Sequence, residues 1–468
     1  MQNTKLVNSL KQLNPKEIAK FEKFINSPFF AERSQLPVIF SHLKKYADEY
    51  NISRSELFTE VFKDKPFNDQ LMRKYISELN RMLDKFLTVN SFLDDHWAFT
   101  ARLAEVNIRS NRIGELKKLT SAALSELKKP RVINEDHFNN ICIFESYQDM
   151  VEDAGSVVLT GSFGLKAINS FADYSAIRVL KFYSKLLNNR KYIRGETGYK
   201  LLDDLVKLYH ESGRINNPLA RIYYNILQLQ LDADDIDHYF SLKELLFKNE
   251  NILDKDELRG FFIFMHNYCY EKADTGNLDF VKERYDIMKQ FLLKGYCFVD
   301  GVMKGEFFSS MILSALMLGK LGQAEEFYTN YKETIPSLNR SSLLNFTMAN
   351  ILLYKKEYNR AIDLLGKIEY NDHFDNIRTR TLYIMIYFEL NMFDVLKYQA
   401  DTFRRYLNNN SSITSYIRNR GNNFLKQTLQ IVKYRKKLVK EIFIPGFDSK
   451  AVMNRPWLLK KIEEAKNH

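Results

Sequence analysis

A glycine-containing stretch from Gly155 to Gly164 is the closest approach in this sequence to a phosphate-binding loop. A P-loop has four residues between its first glycine and its Gly-Lys pair, because its backbone amides must wrap around a phosphate. Here five residues separate Gly155 from Gly161, and Ser162 occupies the position of the lysine. The spacing therefore indicates an ordinary loop between helices.

A cluster of aspartates at residues 232–237 has the composition of a calcium-binding loop. Such a loop needs an oxygen ligand at its fifth position, glycine at its sixth and glutamate at its twelfth. Counted from Asp232, those positions hold Ile236, Asp237 and Lys243. We interpret the cluster as a turn that supplies the N-cap of a helix beginning at His238.

The histidines and cysteines show no spacing that suits a metal ion or an activated nucleophile. None of the eight histidines forms a His-x-x-x-His pair, and the three cysteines lie far apart in the chain. Cys142 and Cys269 have apolar or aromatic neighbours, which favours core packing over reactivity. His137 lies five residues before Cys142, not the four that would place both on one helix face. We expect no enzyme activity, no cofactor and no metal site.

Basic residues near the end of the sequence are the remaining candidate. The segment 402–440, called the basic segment below, holds ten Lys and Arg and no Asp or Glu, whereas residues 1–401 carry no net charge. A positive region on an otherwise neutral chain favours an acidic partner. A helix predicted from about Ser415 to Ile442 places an apolar stripe and a lysine stripe on different faces. The apolar stripe contains Ile417, Phe424, Ile431 and Leu438, and the residues predicted to bind a partner are Arg418, Lys426, Lys433, Lys436, Lys437 and Lys440.

Three roles are open for the basic segment. It is the solvated outer face that keeps a terminal repeat soluble, a docking surface for an acidic peptide or another protein, or a surface that follows a phosphate backbone. The aromatic residues beside these bases, Tyr416 and Tyr434, offer little stacking for single-stranded nucleic acid. We therefore rank nucleic acid below a protein partner.

Helical periodicity covers nearly the whole chain and predicts the elements that position these residues. Between Ser341 and Leu365, two apolar faces are separated by the polar turn Lys355-Lys356-Glu357, as in a helix hairpin. Ala349 and Ala361 stand twelve positions apart, one on each helix of this hairpin. Small residues at such positions let two helices approach closely.

The hairpin pattern recurs along the second half of the chain. Its second helix begins near Leu278, Leu321, Tyr358 and Phe393, at spacings of 43, 37 and 35 residues. The pattern is similar to the tetratricopeptide repeat, which has a period of about 34 residues and a small residue on each helix. The Trp and the Leu-Gly pair of that motif are missing, so the sequence predicts a divergent array.

The first 92 residues predict a compact helical cap, with Asn14 as N-cap before Pro15. The last cap helix follows a short turn, as the DNA-contacting helix of a helix-turn-helix domain does. However, residues 1–100 contain fifteen basic and thirteen acidic side chains, which favours core packing of its apolar face. The cap helices are predicted at Pro15–Asn26, Leu36–Tyr50, Ser53–Phe62 and Asn68–Leu87. Further helices are predicted at Ala98–Lys129, Asp136–Glu152, Phe171–Leu187, Leu201–Glu211, Pro218–Leu231 and His238–Lys248.

Composition agrees with an all-helical chain outside the membrane. Gly and Pro together account for 26 of 468 residues, far below their usual share of about 12%. No window approaches the roughly 18 apolar residues that cross a bilayer, and the N-terminus lacks a signal-peptide pattern. Three widely spaced cysteines do not form a disulfide framework. We expect a cytoplasmic protein.

Four groups of residue strings in this sequence are distinctive when taken together: Lys20–Phe30, Lys65–Asp69, Asn267–Cys269 with Thr275–Asn277, and Phe403–Leu407. They resemble a group of uncharacterised tetratricopeptide-like helical-repeat proteins of Bacteroidota. The resemblance implies an all-helical, tetratricopeptide-like cytoplasmic protein and brings no activity or catalytic residues with it.

These observations predict an elongated, right-handed, all-α solenoid of tetratricopeptide-like helical hairpins with an N-terminal helical cap. The predicted domains are the cap at 1–92, an irregular hairpin array at 93–254, repeats at 255–442 that end in the basic helix, and a tail with a short helix at 443–468. The predicted function is a non-enzymatic scaffold that binds a protein or peptide. The alternative is a nucleic-acid-associated factor that docks through residues 402–440.

Overall fold

The computed structural model separates the chain into two compact units. One unit contains Met1–Glu126 and Ile143–Gly164, and the other contains Leu127–Cys142 and Leu165–His468. The structure describes residues 1, 4–30, 35–47, 49–63, 65–130, 132–155, 164–190, 200–274, 277, 279–336, 340–370, 372–439, 442 and 452–466.

The first unit is built from helices. They are α1 Lys5–Leu10, α2 Pro15–Ile25, α3 Gln35–Lys44, α4 Arg54–Val61, α5 Asp69–Asp94, α6 His96–Arg109, α7 Ile113–Leu127 and most of α8 Glu135–Gly155. Helices α1 to α4 all contact the long helix α5, which supplies Leu79 and Leu83 to a core around Phe21, Phe40 and Phe58.

Local signals in the sequence set the starts of these helices. Asn14 caps α2 through a reciprocal capping box with Glu17, in which each side chain bonds the other residue's backbone N–H. This confirms the predicted N-cap. The predicted core face of α5 is also confirmed, since Leu79 and Met82 are buried and Leu71 and Tyr75 are partly buried against the same core. The predicted helix Ala98–Lys129 is instead two helices, because Asn111 adopts a positive φ of 52° between them.

The second unit continues the helical series. It contains α9 Leu165–Arg190, α10 Lys200–Glu211, α11 Pro218–Leu231, α12 Asp237–Asn249, α13 Lys255–Asp274, α14 Asp279–Leu293, α15 Gly305–Met317, α16 Leu321–Tyr331, α17 Arg340–Tyr354, α18 Tyr358–Leu365, α19 His373–Glu389, α20 Phe393–Asn409, α21 Ser415–Arg435 and α22 Arg455–Lys466. Two 3-10 turns lie at Glu250–Ile252 and Lys332–Thr334, and two short antiparallel strands, β1 Phe298–Val299 and β2 Val302–Met303, pair with each other.

Neighbouring helices of the second unit pack in a repeat-like series. Helix α9 contacts α10, and each helix from α11 to α21 contacts the next helix in the chain. Next-but-one contacts join α9 to α11, α15 to α17 and α17 to α19. Ala349 and Ala361, the predicted small positions, are fully buried where α17 meets α18. Among the described helices, none combines the length and the hydropathy that a bilayer-spanning segment requires.

One type of turn recurs between the paired helices. Gly319, Lys356 and Asn391 have positive φ values of 71°, 62° and 56° and follow the C-terminal ends of α15, α17 and α19. Each N–H bonds a carbonyl three residues back, and the following N–H bonds a carbonyl five residues back. This is the Schellman C-cap, which satisfies the last carbonyls of a helix and reverses the chain. The positive-φ residue of each turn lies two positions before Leu321, Tyr358 or Phe393. The turn therefore recurs at the spacing predicted for the hairpin pattern.

The aspartate cluster forms a turn between α11 and α12, as expected, but it does not supply the N-cap. Helix α12 begins at Asp237 with Ile236 at the N-cap and no side-chain cap hydrogen bond. Asp232 Oδ1 instead accepts a hydrogen bond from the Asp234 N–H within the turn, and Asp235 Oδ1 accepts one from the N–H of Asp237, the first residue of α12. The N-cap prediction was therefore wrong, because the carboxylates stabilise the turn.

Candidate functional site

The second unit contains a groove with a volume of about 500 Å³. Its walls come from residues just before and at the start of α8 and from one face each of α9, α11 and α13. The lining includes five carboxylates and two lysines, so the groove is acidic overall. These charged residues are Glu135, Asp136, Asp254, Asp256, Glu257, Lys181 and Lys185.

A partly buried ionic network lines one wall of this groove. The Lys181 ammonium lies 2.8 Å from Glu257 Oε1 and 3.1 Å from Glu135 Oε2, and the Tyr223 hydroxyl donates to Glu257. Burial lowers the pKa of Lys181, but the hydrogen bonds and charges of Glu257 and Glu135 outweigh it and raise the pKa overall. Burial and the Glu257 charge also raise the pKa of Tyr223. Both groups therefore keep their protons at neutral pH.

Other residues of the groove remain open to an occupant. Asn188 and Asn267 are exposed, and Ile263 is 40% exposed. Phe264 also lines the groove. Gln230 donates through its Nε2 to the carbonyl of Ser184 at 2.9 Å. Its Oε1 is buried and has no partner among the described residues. A buried acceptor without a partner costs about 1–3 kcal/mol.

The basic segment lies mainly on α20 and α21, and the structure gives its residues different surroundings. The Arg418 guanidinium donates to three carbonyls at the end of α20 and the following turn, those of Leu407, Asn410 and Ile413, at 2.9, 3.3 and 3.1 Å. Lys436 lies 3.4 Å from Asp394. These two cations therefore have internal partners.

Three lysines of the segment have exposed ammonium groups with no hydrogen bond or ion pair in the part of the chain described. They are Lys426, Lys433 and Lys437. The sixth predicted residue, Lys440, lies outside the described residues. The structure thus keeps three of the six residues available for a partner. Their role in binding stays a prediction.

The predicted helix Ser415–Ile442 ends earlier than expected, at Arg435. Lys437 takes a positive φ of 57°, and its N–H and that of Leu438 close a Schellman turn on Tyr434 and Lys433. Leu438 is consequently 69% exposed and does not continue the buried stripe of Ile417, Phe424 and Ile431. The sequence did not predict this helix end. Glycine usually occupies the positive-φ position of such a turn, and here that position is Lys437.

The sulfur and imidazole groups considered from the sequence differ in their surroundings, and burial keeps the Cys269 thiol protonated. Cys269 is fully buried, donates to the Tyr239 hydroxyl at 3.1 Å, and has its pKa raised to about 12 by burial. Cys142 is only partly buried. His137 makes no hydrogen bond with it in the described structure, and burial lowers the His137 pKa. Within the described residues, no group of three or more His, Cys, Asp or Glu is arranged to hold a metal ion. The stretch from 156 to 163 lies outside those residues.

None of the protein-family models, curated proteins or solved structures compared with this chain matches it. The resemblance noted in the sequence therefore stays a prediction.

Proposed function

We propose that this chain is a non-enzymatic binding scaffold of the tetratricopeptide-like solenoid type, and that its groove holds an extended segment of another protein. The observation that carries the proposal is the groove itself, with faces of α9, α11 and α13 along its length. Series of stacked helix pairs expose such continuous surfaces and hold extended segments through many weak contacts.

The groove chemistry suits a polypeptide backbone. Asn188 and Asn267 each offer a donor and an acceptor, which match the carbonyl and N–H groups of an extended chain. Apolar surface at Ile263 and Phe264 accepts an alternate side chain of the bound segment. The excess of carboxylates favours a segment that carries Lys or Arg.

The basic segment would provide a second, oppositely charged contact for an acidic part of the same or another partner. Lys426, Lys433 and Lys437 have no internal partner among the described residues. Several other bases of the segment do have one: Arg404 pairs with Asp401, and Lys436 pairs with Asp394. Internal pairing reduces the charge offered to phosphates, and a nucleic-acid role is therefore the weaker alternative.

A side chain added at Gly260 tests the groove. Gly260 lines the groove within α13, and a Cβ placed on it meets no atom within 4 Å. Gly260→Trp therefore fills the groove without a backbone clash. Gly322→Trp is the matched control, because Gly322 is also a helical, exposed glycine with nothing within 4 Å, on α16.

The experiment is an affinity purification of the full chain from its host, with and without nuclease. We expect a stoichiometric protein partner whose binding survives nuclease treatment. The Gly322→Trp variant should retain this partner, and the Gly260→Trp variant should lose it. A partner that binds Gly260→Trp as well as it binds the unchanged chain would exclude the groove. Recovery of nucleic acid, with protein lost after digestion, would favour the alternative, and changing Lys426, Lys433 and Lys437 to Glu should then abolish it.

A further inference from the structure

Arg284 on α14 is a buried arginine without an acidic partner. Only 5% of the residue is exposed, and no carboxylate of the described chain lies within ion-pair distance. Two other buried bases of this unit are paired with carboxylates: Lys272 lies 2.6 Å from Asp234, and Lys461 lies 2.7 Å from Glu389. Buried charges are normally paired because removal from water is costly. Arg284 thus has a positive charge that the described protein does not compensate.

Two neighbours orient the guanidinium without neutralising it. Its Nε donates to His266 Nε2 at 2.9 Å, and its centre lies 4.9 Å from the Tyr270 ring centroid. His266 Nδ1 lies 3.1 Å from Asn267 Oδ1, which assigns the imidazole proton to Nδ1 and leaves Nε2 as the acceptor. Burial and the Arg284 charge lower the His266 pKa to about 3, so the imidazole is neutral.

Arg284 remains charged in this setting. Burial lowers its pKa to about 10, still well above neutral pH. Apart from its Nε, the guanidinium makes no hydrogen bond to any described residue. Its two terminal NH₂ groups form a planar fork, the geometry that binds two oxygens of a phosphate or a carboxylate side by side.

A second arginine lies beside the same ring. The Arg420 guanidinium on α21 lies 5.8 Å from the centroid of the Tyr270 ring. One of its terminal nitrogens pairs with Asp274, while its Nε is buried with no hydrogen-bond partner among the described residues. Asp274 therefore balances the charge of Arg420 and leaves that of Arg284 uncompensated.

We propose that the terminal nitrogens of Arg284 bind an oxyanion, a phosphate or carboxylate group, at a site formed by α13, α14 and α21. The fork holds two oxygens of the anion, His266 fixes the plane of the guanidinium, and Tyr270 covers one side of it. The negative charge compensates the buried cation. The anion site shares Asn267 with the groove, because the Asn267 side chain orients His266 and also lines the groove. It does not depend on the function proposed for the groove.

The test uses the full chain and two probes, inorganic phosphate and acetate, titrated by calorimetry at constant ionic strength. We expect saturable binding of at least one anion, with an affinity reduced tenfold or more in Arg284→Met. Binding of phosphate alone would identify a phosphate site, and binding of acetate as well would identify a carboxylate-tolerant one. Arg360→Met on α18, whose side chain is 71% exposed, is the matched control and should bind like the unchanged chain.

A second variant keeps the test decisive if Arg284→Met does not fold, as judged by circular dichroism. Arg284→Lys keeps the charge but loses the fork, so it should fold and bind the anion several-fold more weakly. The proposal is overturned if neither anion binds saturably. It is also overturned if the folded Arg284 variants bind as tightly as the unchanged chain, because the anion then occupies another place.

Discussion

Arg420 on α21 pairs with Asp274, the last residue of α13, across 146 positions of sequence. Both side chains are nearly buried, with 11% and 9% of their surface exposed. The contact is reinforced by α22, which packs directly against α13. The end of the helical series in the second unit therefore returns to a helix near its middle.

Breaking this ion pair should destabilise the second unit. Arg420→Met leaves a buried carboxylate unpaired, and we expect it to lower the free energy of unfolding by about 3–5 kcal/mol. The double change Arg420→Met with Asp274→Leu should recover much of this loss, because neither charge then remains. Urea unfolding of both single variants and the double variant gives the coupling energy. Strictly additive effects would show that the pair is not formed in solution.

The positive-φ turns predict that introducing a glycine and removing one have opposite effects on stability. Lys356 carries a φ of 62°, a conformation that costs a residue with a Cβ about 1 kcal/mol. Lys356→Gly should therefore raise stability by roughly 0.5–1 kcal/mol. Gly319→Ala, at a φ of 71° with no atom within 4 Å of the new Cβ, should lower it by a similar amount through backbone strain alone. Thermal melts that shift in the same direction for both variants would contradict the turn assignment.

The small residues between α17 and α18 should not accept a large side chain. Ala349 and Ala361 are each 0% exposed, so Trp at either position must displace packed neighbours. We expect a cost of about 1–3 kcal/mol or more. Ala122→Trp on α7 is the control, because Ala122 is exposed on a helix. Tolerance of Trp at both buried positions would refute the repeat register.

The cysteines should differ in reactivity with a thiol reagent. Burial raises the pKa of Cys269 to about 12 and that of Cys297 to about 11. A raised pKa means less thiolate, so at pH 8 roughly one in 10⁴ Cys269 side chains is ionised, even before burial blocks access. Native protein should react first at Cys142, and all three cysteines should react in urea. Mass spectrometry of iodoacetamide-treated protein checks the order, and early labelling of Cys269 would refute its burial.

Helices with strong local signals were predictable from the sequence. The bounds of α11 match the prediction because Asn217 caps it, Pro218 starts it and the apolar pattern ends at Leu231. The end of α21 was missed because its turn places a lysine, Lys437, in a conformation usually given to glycine.

Features assembled from distant parts of the chain were not predictable in this way. The groove takes its walls from four helices, and the Arg284 site takes its residues from three. Arg418 was identified as a candidate binding residue, yet its guanidinium bonds three carbonyls at the end of α20 and the following turn. Charge counting cannot detect such contacts, because a paired base and a free one look the same in sequence.

The contact of α13 with α21 and α22 changes how the second unit should lose its structure. In an open array of repeats each unit touches only its neighbours, so the ends fray first and unfolding spreads inward. Here the last helices are held by a partner four hairpins earlier, through Arg420 and Asp274. Detaching them exposes α13 as well. The terminal repeats should therefore exchange their amide hydrogens almost as slowly as the middle ones, and the segment from α13 to α22 should melt as one cooperative block.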